Sequence, residues 1–375
     1  MELSSEAAAI RETVREFALE EIRPTARSAD ETGQFPEAVW NGLAELELTA
    51  MTVPEEYGGL DVDGLTYALV NEWVAYGQLA VATALSVHCL ATSCIAVFGD
   101  DAQRERWLPE MVDGRPVGAF ALSEPDAGSN PAEMSTEARR VGDDYVVNGT
   151  KQWITNGERS GVVILFAKTD SDDPSSITQF VVPKDVDGLS VGAPESKLGL
   201  RASDTTTLVF DDVRVPAANR LTPEGEGLSA ALSILTGGRV GIAAQSVGLA
   251  QSALDLATDY AQQREQFGEP IAEIQTIRHK LAEMRTNVQA GRLLTYDAAN
   301  ALDGDEPPAA AASMAKYFAS EAAMDVTNEA VQIHGGYGYT TEYPVERLYR
   351  DARVTTIYEG TTEIQKEIVA RDLLG

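Results

Sequence analysis

The sequence predicts an α+β chain built in three successive zones: helical, then β, then helical again. Three observations predict it. Apolar residues recur at helical spacing over roughly the first 100 positions. Near residue 114 the texture changes to short apolar strands between Gly-, Asp- and Pro-rich turns. Long helical periodicity then returns near Gly225–Gly227, so the expected domains are 1–113, 114–225 and 226–375.

In order, Ser4 or Ser5 can cap a first helix whose apolar positions are Ile10, Val14, Phe17 and Ile22, and Pro24 is expected to end it or to come just after its end. Further helices are expected at about 64–76, 81–98 and 101–111. Candidate strands are 117–122, 145–147, 162–168, 177–182 and 207–210. Their antiparallel spacing, without interleaved helices, argues for a small barrel or sandwich rather than a doubly wound sheet. Long helices follow at about 228–263, 274–302 and 308–333, with a turn at 303–308. The last segment, 352–374, begins with a β-branched run and ends helical.

Lys+Arg total 29 against 59 Asp+Glu, a net charge of −30, and only 7 of the basic residues are Lys. Such a field repels nucleic acid and anionic membrane surfaces, and the low Lys content resembles that of salt-adapted proteins. No apolar stretch is expected to reach the roughly 20 residues that span a bilayer. The acidic start, Met1-Glu2-Leu3-Ser4-Ser5-Glu6, is no secretory leader, so the expected location is the cytoplasm. Cys89 and Cys94 read as buried thiols, and His88, His279 and His334 have no zinc-like spacing, so no metal is expected.

Five segments carry candidate chemistry. Phe120–Asn130 runs from a strand into a turn whose Gly128 lets backbone approach a ligand, with Ser123 and Ser129 adding hydroxyls. In Lys151–Gly157, Trp153 and Thr155 lie two apart and would face one side of a strand; a core Trp beside an Asn-Gly turn reads equally well. Arg264–Gly268, with Gln275 beyond, places an Arg after a long helix, where it suits a pyrophosphate or the helix dipole. Gln332–Tyr339 has glycines that permit close approach, though a helix C-cap explains one of them, and it is not a Rossmann loop. In Ile357–Gln365, Glu359 follows the apolar run Val354–Ile357, a setting that would raise its pKa toward that of a general base. The competing reading makes Glu359 a bystander to a helix cap at Thr361 or Thr362.

In this order and at these separations, the five segments resemble the acyl-CoA dehydrogenase family over essentially the whole chain. Ser123-Glu124-Pro125-Asp126-Ala127-Gly128-Ser129-Asn130 is similar to its Ser-Glu-Pro-x-Ala-Gly-Ser-Asp signature, and Gln332–Asp351 to its C-terminal one. The resemblance implies a helical domain, a middle β domain and a C-terminal four-helix bundle, assembled as a homotetramer with FAD at subunit interfaces. It implies that Phe120, Leu122, Ser123, Gly128 and Ser129 line the flavin and the thioester, with Trp153, Ile154 and Thr155 at the ring system. Arg264, Gln266, Phe267, Gln275, Gln332, Gly335 and Gly336 would reach the FAD of an adjacent subunit, while Thr361 and Glu363 would sit by its diphosphate and adenosine portion. Ser129, Arg239, Tyr358 and Gly360 would meet the acyl-CoA substrate.

The implied activity is α,β-dehydrogenation of a short or branched short acyl-CoA to the trans-2-enoyl-CoA, with electrons passed to electron-transfer flavoprotein. Glu359 would be the base. Some members carry the base just before the Arg matched by Arg239, and here that position is Gly238, which has no side chain to serve. Asn130, Glu133 and Thr236 depart from the family pattern, and Thr236 stands where a contact to the CoA arm is usual. A glutaryl-CoA dehydrogenase would need a cation deep in the acyl pocket, where 85–90 offers only His88. An oxidase usually has a longer chain, and a member retired to a scaffold role would have no need of Glu359.

Overall fold

The computed structural model describes residues 3–304 and 308–375, so the turn expected at 303–308 lies partly outside the described residues. Ser4 caps the first helix: its hydroxyl accepts the Ala7 N–H at 3.0 Å, and α1 runs Ser5–Phe17. Contrary to expectation, Pro24 does not end the helix. A π turn, Ala18–Ile22, leads into α2, Arg23–Thr32. The wide bond from Arg23 N–H to the Ala18 carbonyl comes just before the proline, which falls in the first turn of α2, where a missing N–H is tolerated.

Helices α3 (Glu37–Glu45), α4 (Gly64–Gly77), α5 (Leu79–Phe98) and α6 (Asp101–Met111) complete the first zone. Asp63 caps α4, accepting the Thr66 N–H at 2.7 Å, and Asp100 and Gln103 form a capping box on α6. The 20 residues of α5 include no Asp, Glu, Lys or Arg, so length and composition alone would let it cross a bilayer, as would part of α7 (Gly227–Gln263). That corrects the expectation of no such stretch. Both helices are mostly buried within the protein.

The middle zone holds β1 (Val117–Ala121), β2 (Glu137–Val141), β3 (Asp144–Thr155), β4 (Ser160–Lys168), β5 (Ile177–Pro183), β6 (Leu189–Val191) and β7 (Thr205–Pro216). They form one curled seven-stranded sheet in the order β1-β4-β2-β3-β7-β6, with β5 paired to β4. The sheet is mixed rather than antiparallel throughout: β1 runs parallel to β4, and β2 meets β4 in parallel at Glu137 and Lys168. Intervening chain rather than a hairpin joins these pairs, which frees them to run the same way.

After α7 come a small hairpin, β8 (Glu265–Gln266) with β9 (Glu269–Pro270), and helices α8 (Gln275–Leu302), α9 (Ala309–His334), α10 (Val345–Thr355) and α11 (Thr362–Leu374). The β-branched run at 354–357 is not extended. Val354 and Thr355 lie in the last turn of α10, where Thr355 and Thr356 return their hydroxyls to the Ala352 and Arg353 carbonyls at 2.7 and 3.0 Å. Helices α7, α8 and α9 pack on one another, with α10 and α11 against α9. The two helical zones share a single apolar interior, in which Val14, Trp40 and Leu85 join Val247, Val288 and Ala330. All three zones meet around α10. There Arg350 pairs with Asp30 at 2.7 Å, and Asp351, pushed up to about 6 by burial, accepts the Leu200 N–H at 2.6 Å.

Candidate active site

The first two segments are fastened by a buried ion pair. Lys151, 0% exposed in β3, donates to Glu124 Oε1 at 2.8 Å and to the Leu122 carbonyl at 3.1 Å. The Glu124 carboxylate also accepts the Ser135 N–H at 2.6 Å, the Ser135 hydroxyl at 2.8 Å and the Thr136 N–H at 3.0 Å. Burial opposes its charge, yet Lys151 and these donors hold Glu124 down at about 2. The Gln152 N–H reaches the Ser123 carbonyl at 3.0 Å, so the turn after β1 is laced to β3.

A β-bulge follows. Lys151 faces Leu208 and Ile154 faces Thr206, leaving Gln152 and Trp153 opposite Thr207 alone. The simple alternation expected for Trp153 and Thr155 is therefore broken: Trp153 takes φ 59° and turns outward, 55% exposed. Ile154, expected among the cofactor residues, sends its side chain into the β core at 2% exposure, so only its backbone can meet a ligand. Thr155 stays partly exposed. The reading of a core Trp fails with Trp153 exposed; only the Asn-Gly turn beside it is buried, the Asn156 amide bonding the Ala84 and Gly118 carbonyls at 3.0 and 3.1 Å.

Glu359 occupies the link between α10 and α11 with φ 55°, and Gly360 follows at φ 91°. Thr361 caps α11 by accepting the Ile364 N–H, and Glu359 beside it turns inward. Glu359 Oε2 is buried and has no hydrogen-bond partner. A Cβ at Gly238 would lie 2.8 Å from that oxygen, so the two positions that the resemblance offers for a base converge on one space. Burial pushes Glu359 up to about 7, against the pull of Arg239 and Lys316. Arg239 is itself buried with Nε unpartnered. Leu90, on α5, also borders Gly238, and Ala84 bonds Asn156. Six residues, about 9 Å of helix rise, separate Leu90 from Ala84, so α5 borders both the Glu359 neighbourhood and the end of β3 beyond the bulge.

Farther along Gly238's helix, Gln245 is fully buried: its amide donates to Asn71 Oδ1 at 2.9 Å and the Ala82 carbonyl at 3.2 Å, and its oxygen faces the Tyr358 hydroxyl at 3.5 Å. His88 offers no cation. Its Nδ1 accepts the Gly118 N–H at 2.9 Å, leaving Nε2 to the Met111 carbonyl at 3.2 Å, and burial lowers it to about 4. Thr236 is buried, with its hydroxyl on the Leu232 carbonyl at 3.2 Å.

The other two segments form a second group at the far end of α9. Arg264, Gln266, Gly335 and Gly336 line a cleft of about 510 Å³ in which Tyr260 stacks on His334. Gln275 and Phe267 stand outside it, the latter 95% exposed. Lys316 near Glu359 and His334 at this cleft are 18 residues apart on one helix, or about 27 Å, so one chain does not gather all five segments. Among residues missed in the sequence, Lys316 and Gln365 hold the Glu359 turn. Lys316 donates to the Gly360 carbonyl at 2.7 Å, and Gln365 donates to the Glu359 and Gly360 carbonyls, both at 3.0 Å. The polar side chains of α11 were visible, but nothing local marked a Lys in an Ala-rich helix as buried.

The chain belongs to the acyl-CoA dehydrogenase family. It matches that family's N-terminal domain over residues 4–115, its middle domain over 119–213 and its C-terminal domain over 225–374. It is 44% identical over 100% of both chains to an acyl-CoA dehydrogenase of Bacillus subtilis. It is 43% identical to the mitochondrial short-chain specific acyl-CoA dehydrogenase of Rattus norvegicus, covering 97% of this chain and 89% of that one. The solved butyryl-CoA dehydrogenase of Megasphaera elsdenii superposes with a TM-score of 0.97 at 39% identity, over 100% of each chain. The protein is thus an acyl-CoA dehydrogenase, and FAD is its cofactor. The residues present fit that group: Gly128, Gly335 and Gly336 face open space where a side chain would stand, and Trp153 offers an unshielded aromatic face.

Proposed function

We propose that the chain oxidises a short-chain acyl-CoA to the trans-2-enoyl-CoA, with Glu359 as the base that removes the α-proton. The observation that carries this reading is the Glu359 carboxylate oxygen, buried, unpartnered and raised to about 7. An unsolvated carboxylate at that pKa is a competent base near neutrality, and a bound acyl chain would dry it further. Among the described residues no hydrogen bond engages the Glu359 N–H, which leaves it free to donate to the thioester oxygen as enolate charge develops. Bound FAD supplies the acceptor for the β-hydrogen and its electron pair. Phe120, Leu122, Ser123, Gly128, Ser129, Trp153, Thr155 and the Ile154 backbone would hold it, with Thr361 and Glu363 toward its diphosphate and adenosine.

Gln245 supports a short chain. It is polar, fully bonded and seven residues beyond Gly238 on the same face of α7, about 10 Å along the helix. Longer acyl chains would have to displace it. His88 argues against glutaryl-CoA, because both ring nitrogens are engaged and the ring is neutral. The separation of the two residue groups supports a homotetramer in which Arg264, Gln266, Phe267, Gln275, Gln332, Gly335 and Gly336 of one copy serve the FAD of another. Electron-transfer flavoprotein is the partner we assign for reoxidation, cytoplasm the location, 1–113, 114–225 and 226–375 the domains, and neither nucleic acid nor membrane a partner.

The test is the absorbance spectrum of the purified protein titrated with thioesters from butyryl- to palmitoyl-CoA. Bleaching greatest with the shortest is expected, and the Glu359→Gln variant should keep its flavin while losing turnover by roughly 10³- to 10⁴-fold. Flavin that no thioester bleaches would point to a scaffold, and full activity in Glu359→Gln would end the assignment of the base.

A further inference from the structure

Only 7 of the 29 basic residues are Lys, and two of those, Lys151 and Lys316, are 0% exposed. Lys151 has its carboxylate in Glu124. Lys316, on the inner face of α9, has no ion pair within bonding distance among the described residues; its ammonium donates at 2.7 Å to the Gly360 carbonyl. A buried cation directed at a neutral carbonyl, one peptide from a left-handed Glu, is an expensive arrangement in search of a reason.

The reason lies in the turn. Glu359 and Gly360 take successive positive φ values of 55° and 91°, and their carbonyls point back to the Gln365 amide at 3.0 and 3.0 Å. The Gly360 oxygen thereby uses both lone pairs, one for Gln365 and one for Lys316. A Cβ at Gly360 would sit 2.4 Å from Gln365 Nε2, so the clamp closes only over glycine. Because each peptide is planar and trans, fixing these carbonyls fixes the Gly360 and Thr361 N–H groups opposite them and restrains the direction in which the Glu359 side chain leaves.

We propose that Lys316 is a positioning residue for the base: from inside α9 it pins the Glu359–Gly360 turn and so aims the Glu359 carboxylate at the thioester. The charged groups that face it are Glu359 on the turn, Arg239 from α7, Glu321 on α9 and Glu363 on α11, of which Glu321 is engaged by the Thr362 hydroxyl at 2.8 Å. Burial brings Lys316 down to about 8, and while charged it favours the ionised form of Glu359, as does Arg239. Removing the ammonium therefore both loosens the turn and makes the base harder to ionise.

The inference rests on Glu359 being the base. Lys316→Met in the FAD-loaded protein should keep wild-type flavin content and nearly wild-type KM, while kcat falls about 10- to 100-fold, as for a reacting group displaced by about an ångström. The acid limb of kcat/KM should move up by roughly one pH unit. Lys316→Gln, which keeps an N–H donor without the charge, should recover part of kcat but retain the moved limb. A folded, flavin-bearing Lys316→Met with wild-type kcat and acid limb overturns the proposal. So does the failure of both variants to fold, which would make Lys316 a core residue only. Absence of bleaching in the wild type would instead sink the reading of Glu359 itself.

Discussion

Glu359 holds a left-handed backbone conformation that costs a non-glycine residue about 1–2 kcal/mol. Of the eight non-glycine residues with positive φ among those described, Trp153, Asn156, Phe267 and Glu359 fall in the segments the sequence singled out. Strain of this kind persists where surrounding bonds over-determine it, and here those bonds come from Lys316 and Gln365. As the proposed base, Glu359 must be ionised to work, and burial places its pKa at about 7. The pH profile of kcat/KM should therefore fall about tenfold per unit below neutrality and level off above it, a limb absent from Glu359→Gln. Gly238→Ala brings a methyl within 2.8 Å of Glu359 Oε2 and should displace the carboxylate. We expect that variant to bind FAD normally and lose about 10- to 100-fold in kcat, measured by thioester-dependent bleaching. The absent side chain at 238 was legible in the sequence. Lys316 was not, because its burial depends on α9 being enclosed by α7, α8 and α11, which no local pattern announces.

At the scale of elements, the Lys151–Glu124 pair and the bulge beside it set how β3 presents Trp153. Lys151→Met would leave Glu124 buried without its cation and should destabilise the fold by about 3–5 kcal/mol. Thermal unfolding and flavin content of the purified variant measure it, and retention of both at wild-type level would show that the pair does not hold the turn. Helices α4 to α9 were legible in the sequence nearly to their ends, because long apolar periodicity records burial on one side, whereas the shorter α2, α3 and α10 were not singled out. Strand β2, Glu-Ala-Arg-Arg-Val, was missed because only Ala138 in it is buried, and β6 because three residues carry no pattern. The run at 354–357 misled because β-branched residues can end a helix when their hydroxyls bond backward. The bulge at Trp153 had no local signature at all.

Across the whole molecule, a charge of −30 is spread over a surface that must also pack against other copies if the tetramer forms. Screening by salt weakens that self-repulsion, so activity and assembly should both decline on desalting. Parallel assays and size-exclusion runs across a salt series measure this, and identical behaviour in dilute buffer would argue against salt adaptation. The interior shared by the first and last zones bears on how the protein is made. During synthesis α4 and α5 leave the ribosome well before α7, whose side chains complete their packing, and the whole β zone must be translated in between. The most apolar helix of the chain is thus without its partner while that partner is still being polymerised, so the shared interior can close only after both ends have been made.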